Sequence, residues 1–361
     1  MATQPVPTRI PAIGVELQDS FPFMRPLAWD GDLLYASRGY SLFSAQMSAG
    51  HIHWRYAGRY RPAWWRDLTR RHRPSSRLVR DGFHALAKSG GNLIAAVPGA
   101  IATLKSGDDE FQIFHRLLRG TRPLHIAALP GGGAFWGEYF DNRAREEVYI
   151  YASSDAGLTW DIAYTFPSGS IRHIHNIIYD RWADRLWIFT GDYGKECRIL
   201  CASTDLNSVD EVLSGTQQAR AVAAVITQYG LYFASDSPLE QNHIYFLDRR
   251  GVLRKLHSIP TSSIYACRNR NGIYFSTMVE PSDANLTQEA ALFGSADGAD
   301  WQTLASWRKD RWPIKLFQYG NVFLPDGENS TDQLAASAIA VEGADQQMLL
   351  WRTVLAPAPL D

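Results

Sequence analysis

Residues 124–166 read LHIAALPGGGAFWGEYFDNRAREEVYIYASSDAGLTWDIAYTF. Four short segments rich in β-branched and aromatic residues stand out: LHIAAL, GAFWGEYF, EEVYIYAS and TWDIAYTF. A glycine turn, a polar loop and a Ser-Asp-Ala-Gly turn separate them. Runs of this length, punctuated by turn residues, predict antiparallel strands joined as a meander.

The same plan recurs along the chain. HIHNIIYD, RLWIFTGD, CRILCAST and DEVL repeat it in 172–213, and further copies fit 24–60, 83–119, 219–259, 263–307 and 313–355. Their starts are 59, 41, 48, 47, 44 and 50 residues apart. All but the first interval match the roughly 40–50 residues of a four-stranded propeller blade. The expected fold is therefore all-β, a single domain over 1–361 built as a seven-bladed β-propeller of four-stranded antiparallel blades. This resolves a conflict in the length, because 361 residues exceed the roughly 250–300 at which one core stops growing. The segment 4–23 precedes the first copy and either closes the ring or drapes over it.

The turn Ser153-Ser154-Asp155-Ala156-Gly157-Leu158-Thr159-Trp160 has the form S-x-D-x-G-x-T-W. Ser and Asp side chains cap backbone N–H groups in such a turn, Gly accepts a positive φ, and Trp has area to bury between blades. Ser295-Ala296-Asp297-Gly298-Ala299-Asp300-Trp301 is a shorter copy, and Ser203-Thr204-Asp205-Leu206-Asn207 a weaker one. The pattern resembles the Asp-box, or BNR repeat, of sialidase-like propellers. The segment around Arg25-Pro26 and Arg38 is similar to the opening strands of that superfamily. The resemblance implies a sialidase-like ring that hosts glycoside hydrolases, polysaccharide lyases and non-catalytic binding proteins, so function must be read from the site.

If the Asp turns share one face, the opposite face collects the starts of first strands and the ends of second strands. Starts carry Arg25, His84, His125, His173 with His175, Arg220, Tyr265 and Lys315. Ends carry Arg38, Glu138-Tyr139, Asp192, Asp236, Glu280, and Asp326 with Glu328. Glycoside hydrolysis needs two carboxyl groups flanking the scissile bond, and Glu138, Asp192, Asp236 and Glu280 form the pool. With Tyr139 and His173 they make the expected catalytic set. Arg25, Arg38, His84, His125, Arg172, His175, Arg220, Tyr265 and Lys315 make the expected substrate-binding set. The leading expectation is a glycoside hydrolase acting on an acidic or bacterial polysaccharide. A uronate lyase using His, Tyr and Arg, and a glycan- or protein-binding scaffold, are the alternatives. No cofactor and no metal is expected.

The widest interval holds a basic insert, 61–82, with seven Arg against two Asp. Pro62 and Pro74 predict a short helix between them, and Trp64 and Trp65 make it a candidate for peripheral membrane or protein contact. Net charge is −1, which argues against nucleic acid as a partner. Neither a secretory signal nor a membrane-spanning run is visible in the sequence, and the three cysteines do not form a disulfide framework. The expected location is cytoplasmic.

Overall fold

A computed structural model describes residues 12–47, 52–69 and 72–356. Strands pair antiparallel in consecutive sets of four. The first comprises Arg25–Gly31, Leu33–Arg38, Ser41–Gln46 and Arg55–Tyr60. The second is Ala85–Ser89, Asn92–Val97, Ala100–Leu104 and Glu110–Arg116. Residues 127–166, 174–214, 221–259 and 263–308 form four more such sets. The last set pairs Gly320–Phe323, Gln333–Ile339 and Gln347–Ala356, and takes its outer strand from Ala12–Pro22. The N-terminal segment thus closes the ring, which settles the choice the sequence left open for residues 12–22.

Burial explains the strand composition. Second strands such as Leu33–Arg38 (LLYASR), Asn92–Val97 (NLIAAV) and Gly230–Ser235 (GLYFAS) are buried along nearly their whole length. Covered on both faces, they read as continuous apolar runs. Fourth strands such as Asp161–Phe166 are mostly exposed and carry polar residues.

The core is distributed between the sets. Leu27, Tyr35 and Leu42 pack with Phe83, Leu86 and Phe111, joining the first set to the second. Ile94 and Ile101 pack with Trp136, Tyr151 and Trp160, joining the second to the third. Similar clusters follow around the chain. Trp29, Leu34 and Ala45 finally meet Ala335 and Leu350, sealing the first set to the last. A β-propeller grows in this way because each new sheet brings its own interface.

The Ser-Asp turns form as the sequence indicates. Asp155 Oδ1 accepts from the Leu158 and Thr159 N–H groups at 3.0 and 2.9 Å, and Ser153 Oγ accepts from Gly157 N–H at 2.9 Å. These bonds hold the Asp155 carboxyl down at about 2 against the opposing effect of partial burial. Gly157 and Gly298 sit at φ 84° and 78°. Trp160 and Trp301 are buried between neighbouring sheets.

The insert departs from the expected single helix. It folds as two, α1 (Trp64–Thr69) and α2 (Arg73–Val79). Pro74 lies in the first turn of α2, where the missing N–H costs nothing and the fixed φ suits the helix, so it starts a helix instead of stopping one. Among the described residues no helix is long and apolar enough to cross a membrane.

Candidate functional site

Two cavities lie at opposite ends of the inner strands. The upper one, about 530 Å³, is lined by Arg25, Arg38, His84, Tyr139, His175, Arg220, Asp236, Tyr265 and Glu280. Strand starts and second-strand ends therefore do meet at one mouth. His173, Arg172 and Asp192 stand directly behind this wall. The Tyr139 ring lies 4.4 Å from that of His173, and Asp192 pairs with Arg172 at 3.0 Å and Arg220 at 3.4 Å.

Five residues expected at this mouth lie elsewhere or have other roles. Glu138 is buried and held by Arg119, whose Nε donates to Oε1 at 3.1 Å while Nη2 pairs with Oε2, and Tyr149 N–H donates to Oε2 at 2.9 Å. It is a wall brace. His125 sits deeper in the channel and lines the lower cavity, its Nδ1 3.1 Å from Asp326 Oδ2. The first strand of its set is only Ala127–Ala128, so His125 lies outside the ladder of that set. Asp326 and Glu328 also belong to the lower mouth, because Asp326–Asn329 runs parallel to Arg25–Gly31. Lys315 lies exposed on the short helix Ile314–Phe317, since the inner strand begins only at Gly320.

The two mouths differ electrically. Charges of the lower mouth neutralise one another: Lys88 with Asp30 at 2.5 Å, and Arg268 and Arg181 with Glu328 at 2.6 and 3.5 Å. The upper cavity is divided. One side gathers Arg25, Arg38, Arg80 and Arg122, none in an ion pair among the described residues. Arg25 donates to the carbonyls of Phe83 and His84 and lies 3.9 Å over the Phe323 ring. Arg122 donates to the Arg80 carbonyl at 2.9 Å. Burial, with repulsion from Arg25 and Arg80, pulls Arg122 down to about 10. Burial, then Arg122 and Arg25, drive His84 well below its ordinary value, so it is neutral at pH 7.

The other side holds Asp236 and Glu280 beside Arg220. Burial pushes Asp236 up to about 7; Arg220 opposes this and Glu280 reinforces it. Its Oδ1 is buried without a hydrogen-bond partner, as are Arg220 Nε and Nη1. Burial also lowers His175 to about 4 and raises Tyr139.

Arg80 and Arg122 were absent from the expected set. Arg80 belongs to the insert and Arg122 to a loop between blades, and only the folded insert brings them to Arg25. The insert is pinned by Arg77, which is 2% exposed and bonds Asp310 at 2.5 Å and the Phe317 carbonyl at 2.6 Å. Within the insert, Arg66 and Thr69 donate to Asp81 at 3.1 and 2.6 Å, and Tyr40 of the first set donates to the same carboxylate at 3.0 Å. Trp64 remains 80% exposed and Trp65 40%.

No family model matches the chain, and no curated protein matches it in sequence. Solved structures do match its shape. A chain of the crystal structure of the mitotic checkpoint complex aligns over 98% of this chain and 95% of its own, at 9% identity and TM-score 0.56. The β-propeller domain of Swd1 from Myceliophteria thermophila aligns over 94% of this chain and 99% of its own, at 10% identity and TM-score 0.56. At such identity the likeness concerns fold alone, and that fold is the β-propeller.

Proposed function

We propose that this chain is a non-catalytic binding propeller whose upper mouth captures an acidic segment of a partner protein. The observation that carries this is the unpaired cation cluster, Arg25, Arg38, Arg80 and Arg122, in a chain whose net charge is −1. Like charges held together in a part-buried cavity repel one another, and an incoming carboxylate relieves that repulsion through charge-assisted, bidentate hydrogen bonds. Trp64 and Trp65, exposed on the insert whose Ser76, Arg80 and Asp81 line the mouth, supply apolar anchors of the kind that dominate protein interfaces. One of the two proteins of similar fold named above comes from the structure of a complex, the mitotic checkpoint complex, which favours this reading over chemistry. We further propose that the ring has seven blades and is of the sialidase-like type, on the support of the Ser-Asp turns and their interblade Trp residues.

A second reading, a glycoside hydrolase for an acidic glycan, has its own support. Asp236 is poised near pH 7 with a free Oδ1 in the same cavity, as a general acid must be. One experiment separates the readings. A fluorescent poly-glutamate peptide and a uronate-containing oligosaccharide are titrated against the chain, while reducing ends and unsaturated uronate are followed. Peptide binding without product, weakened at least tenfold in Arg122→Ala, supports capture. Reducing ends lost in Asp236→Asn support hydrolysis, and unsaturated product a lyase. Neither binding nor product sinks all three.

A further inference from the structure

Behind the upper wall, three buried acceptor atoms converge. His173 and His175 flank Ile174 at the start of strand Ile174–Asp180. Alternate residues of a strand share a face, and the pairing skips His175, with Ile174 opposite Thr190 and Asn176 opposite Phe189. That bulge re-aims His175 toward His173. Asp192 follows the neighbouring strand Arg185–Thr190 and turns its carboxylate onto the pair. The three residues are 6%, 3% and 8% exposed.

Hydrogen-bond accounting fixes the rings. His173 Nδ1 lies 3.0 Å from the Phe140 carbonyl oxygen, and His175 Nδ1 3.1 Å from that of Ala221. A carbonyl oxygen only accepts, so each Nδ1 carries the hydrogen and donates it. In the neutral rings both Nε2 atoms then present bare lone pairs. These stand 3.1 Å apart, and each is 3.5 Å from Asp192 Oδ1. Two imidazole lone pairs and a carboxylate oxygen thus face one another in a buried space. Arg220 Nη2 reaches the carboxylate oxygen at 3.4 Å, but among the described residues no donor reaches either Nε2, an arrangement that is costly unless a positive centre fills it.

The geometry points to a divalent cation bound by His173 Nε2, His175 Nε2 and Asp192, a zinc-class site at the wall of the upper cavity. Ligands about 2.0–2.1 Å from a tetrahedral zinc lie about 3.3–3.4 Å from one another, whereas at the same bond lengths an octahedral ion brings them to about 2.8–3.0 Å. Of the observed separations, the two of 3.5 Å lie nearer the tetrahedral value, and the 3.1 Å between the rings falls between the tetrahedral and octahedral values. Two imidazoles and a carboxylate are borderline donors suited to zinc. Each ring donates its second N–H to a backbone carbonyl, which fixes the tautomer and orientation of a metal-bound imidazole. Arg172 and Arg220 both touch Asp192, yet each also pairs with a second carboxyl group, Asp141 and Asp236, so Asp192 does not hold either guanidinium to itself. Three protein ligands leave a fourth position for water or ligand. The inference rests on neither functional reading above.

The alternative occupant of the gap is a proton, which turns one ring into an imidazolium. The test uses the full chain, stripped with a chelator, its cysteines alkylated, and titrated with Zn²⁺ alone. One ion per chain is expected, with affinity falling at least 100-fold in His173→Ala and in His175→Ala and at least tenfold in Asp192→Asn, at unchanged circular dichroism. Co²⁺ in place of Zn²⁺ is expected to give the intense visible absorption of a tetrahedral centre. Absence of stoichiometric uptake by the wild-type chain, which needs no variant to fold, overturns the site. So does uptake that survives both histidine substitutions, or a shared-proton ¹⁵N imidazole signal that Zn²⁺ does not shift.

Discussion

Single residues divide into those the repeat places and those the fold recruits. Arg25, Tyr139, Arg220, Asp236 and Glu280 hold equivalent strand ends, and strand direction alone brings them to one mouth. His125 holds an equivalent place in sequence yet lies outside the two-residue strand of its set and meets Asp326 in the lower cavity. Glu138 also holds such a place, but Arg119, a loop residue with no motif, claims it. Asp236 carries the clearest consequence at this scale. Its folded pKa of about 7 lies above the ordinary carboxylate value, near 3.9 in the unfolded chain. Between those values the folded state holds a proton that the unfolded state has lost, so stability falls as pH rises from about 4 to about 7 and is level above that. About three units of difference sets an upper bound of about 4 kcal/mol. Urea melts at pH 4, 5.5, 7 and 8 are expected to show that slope reduced in Asp236→Asn relative to wild type; identical slopes contradict it.

Among the elements, the insert depends most on tertiary contacts. Its composition predicts a basic helix with a Trp side, and helices do form. Their number, and the role of Pro74, follow from how each first turn is satisfied, which composition does not reveal. What fixes the insert is Arg77, buried against Asp310 and the Phe317 carbonyl, partners more than 230 residues away in sequence. Removing one partner of a buried ion pair costs about 3–5 kcal/mol. Arg77→Ala is therefore expected to detach α2 and to admit trypsin within 61–82 while the ring stays folded. The measurement is limited proteolysis beside far-ultraviolet circular dichroism. A cleavage rate equal to wild type would mean that Tyr40, Arg66, Thr69 and Asp81 suffice to hold the insert.

The whole molecule is a set of sheets held by their interfaces and closed by one strand. Ala12–Pro22 pairs along Gln347–Ala356, with Ile13 buried against Tyr274 and Leu292 in the cluster beneath. Without that strand the last sheet exposes a long unpaired edge, which invites association. Deleting residues 1–22 is expected to lower the thermal midpoint, broaden the unfolding transition and produce concentration-dependent aggregates, read by calorimetry and light scattering. A variant that melts as sharply as wild type and stays monomeric removes closure as the source of cooperativity.

The sequence by itself determined the repeat, and with it the class of fold. Alternation of strand and turn every 40–50 residues is local, and local signals survive in one dimension. The Ser-Asp turns were legible for the same reason, since the bonds from their Ser and Asp side chains to the turn's N–H groups span at most five residues. Tertiary structure decided the site. It left Arg25, Arg38, Arg80 and Arg122 of the upper mouth out of ion pairs among the described residues, while the cations of the lower mouth found partners. It also turned His173, His175 and Asp192 onto one point through a bulge and two backbone carbonyls. Those outcomes depend on which distant side chain arrives at a given place, and a strand pattern carries no record of what the neighbouring sheet presents to it.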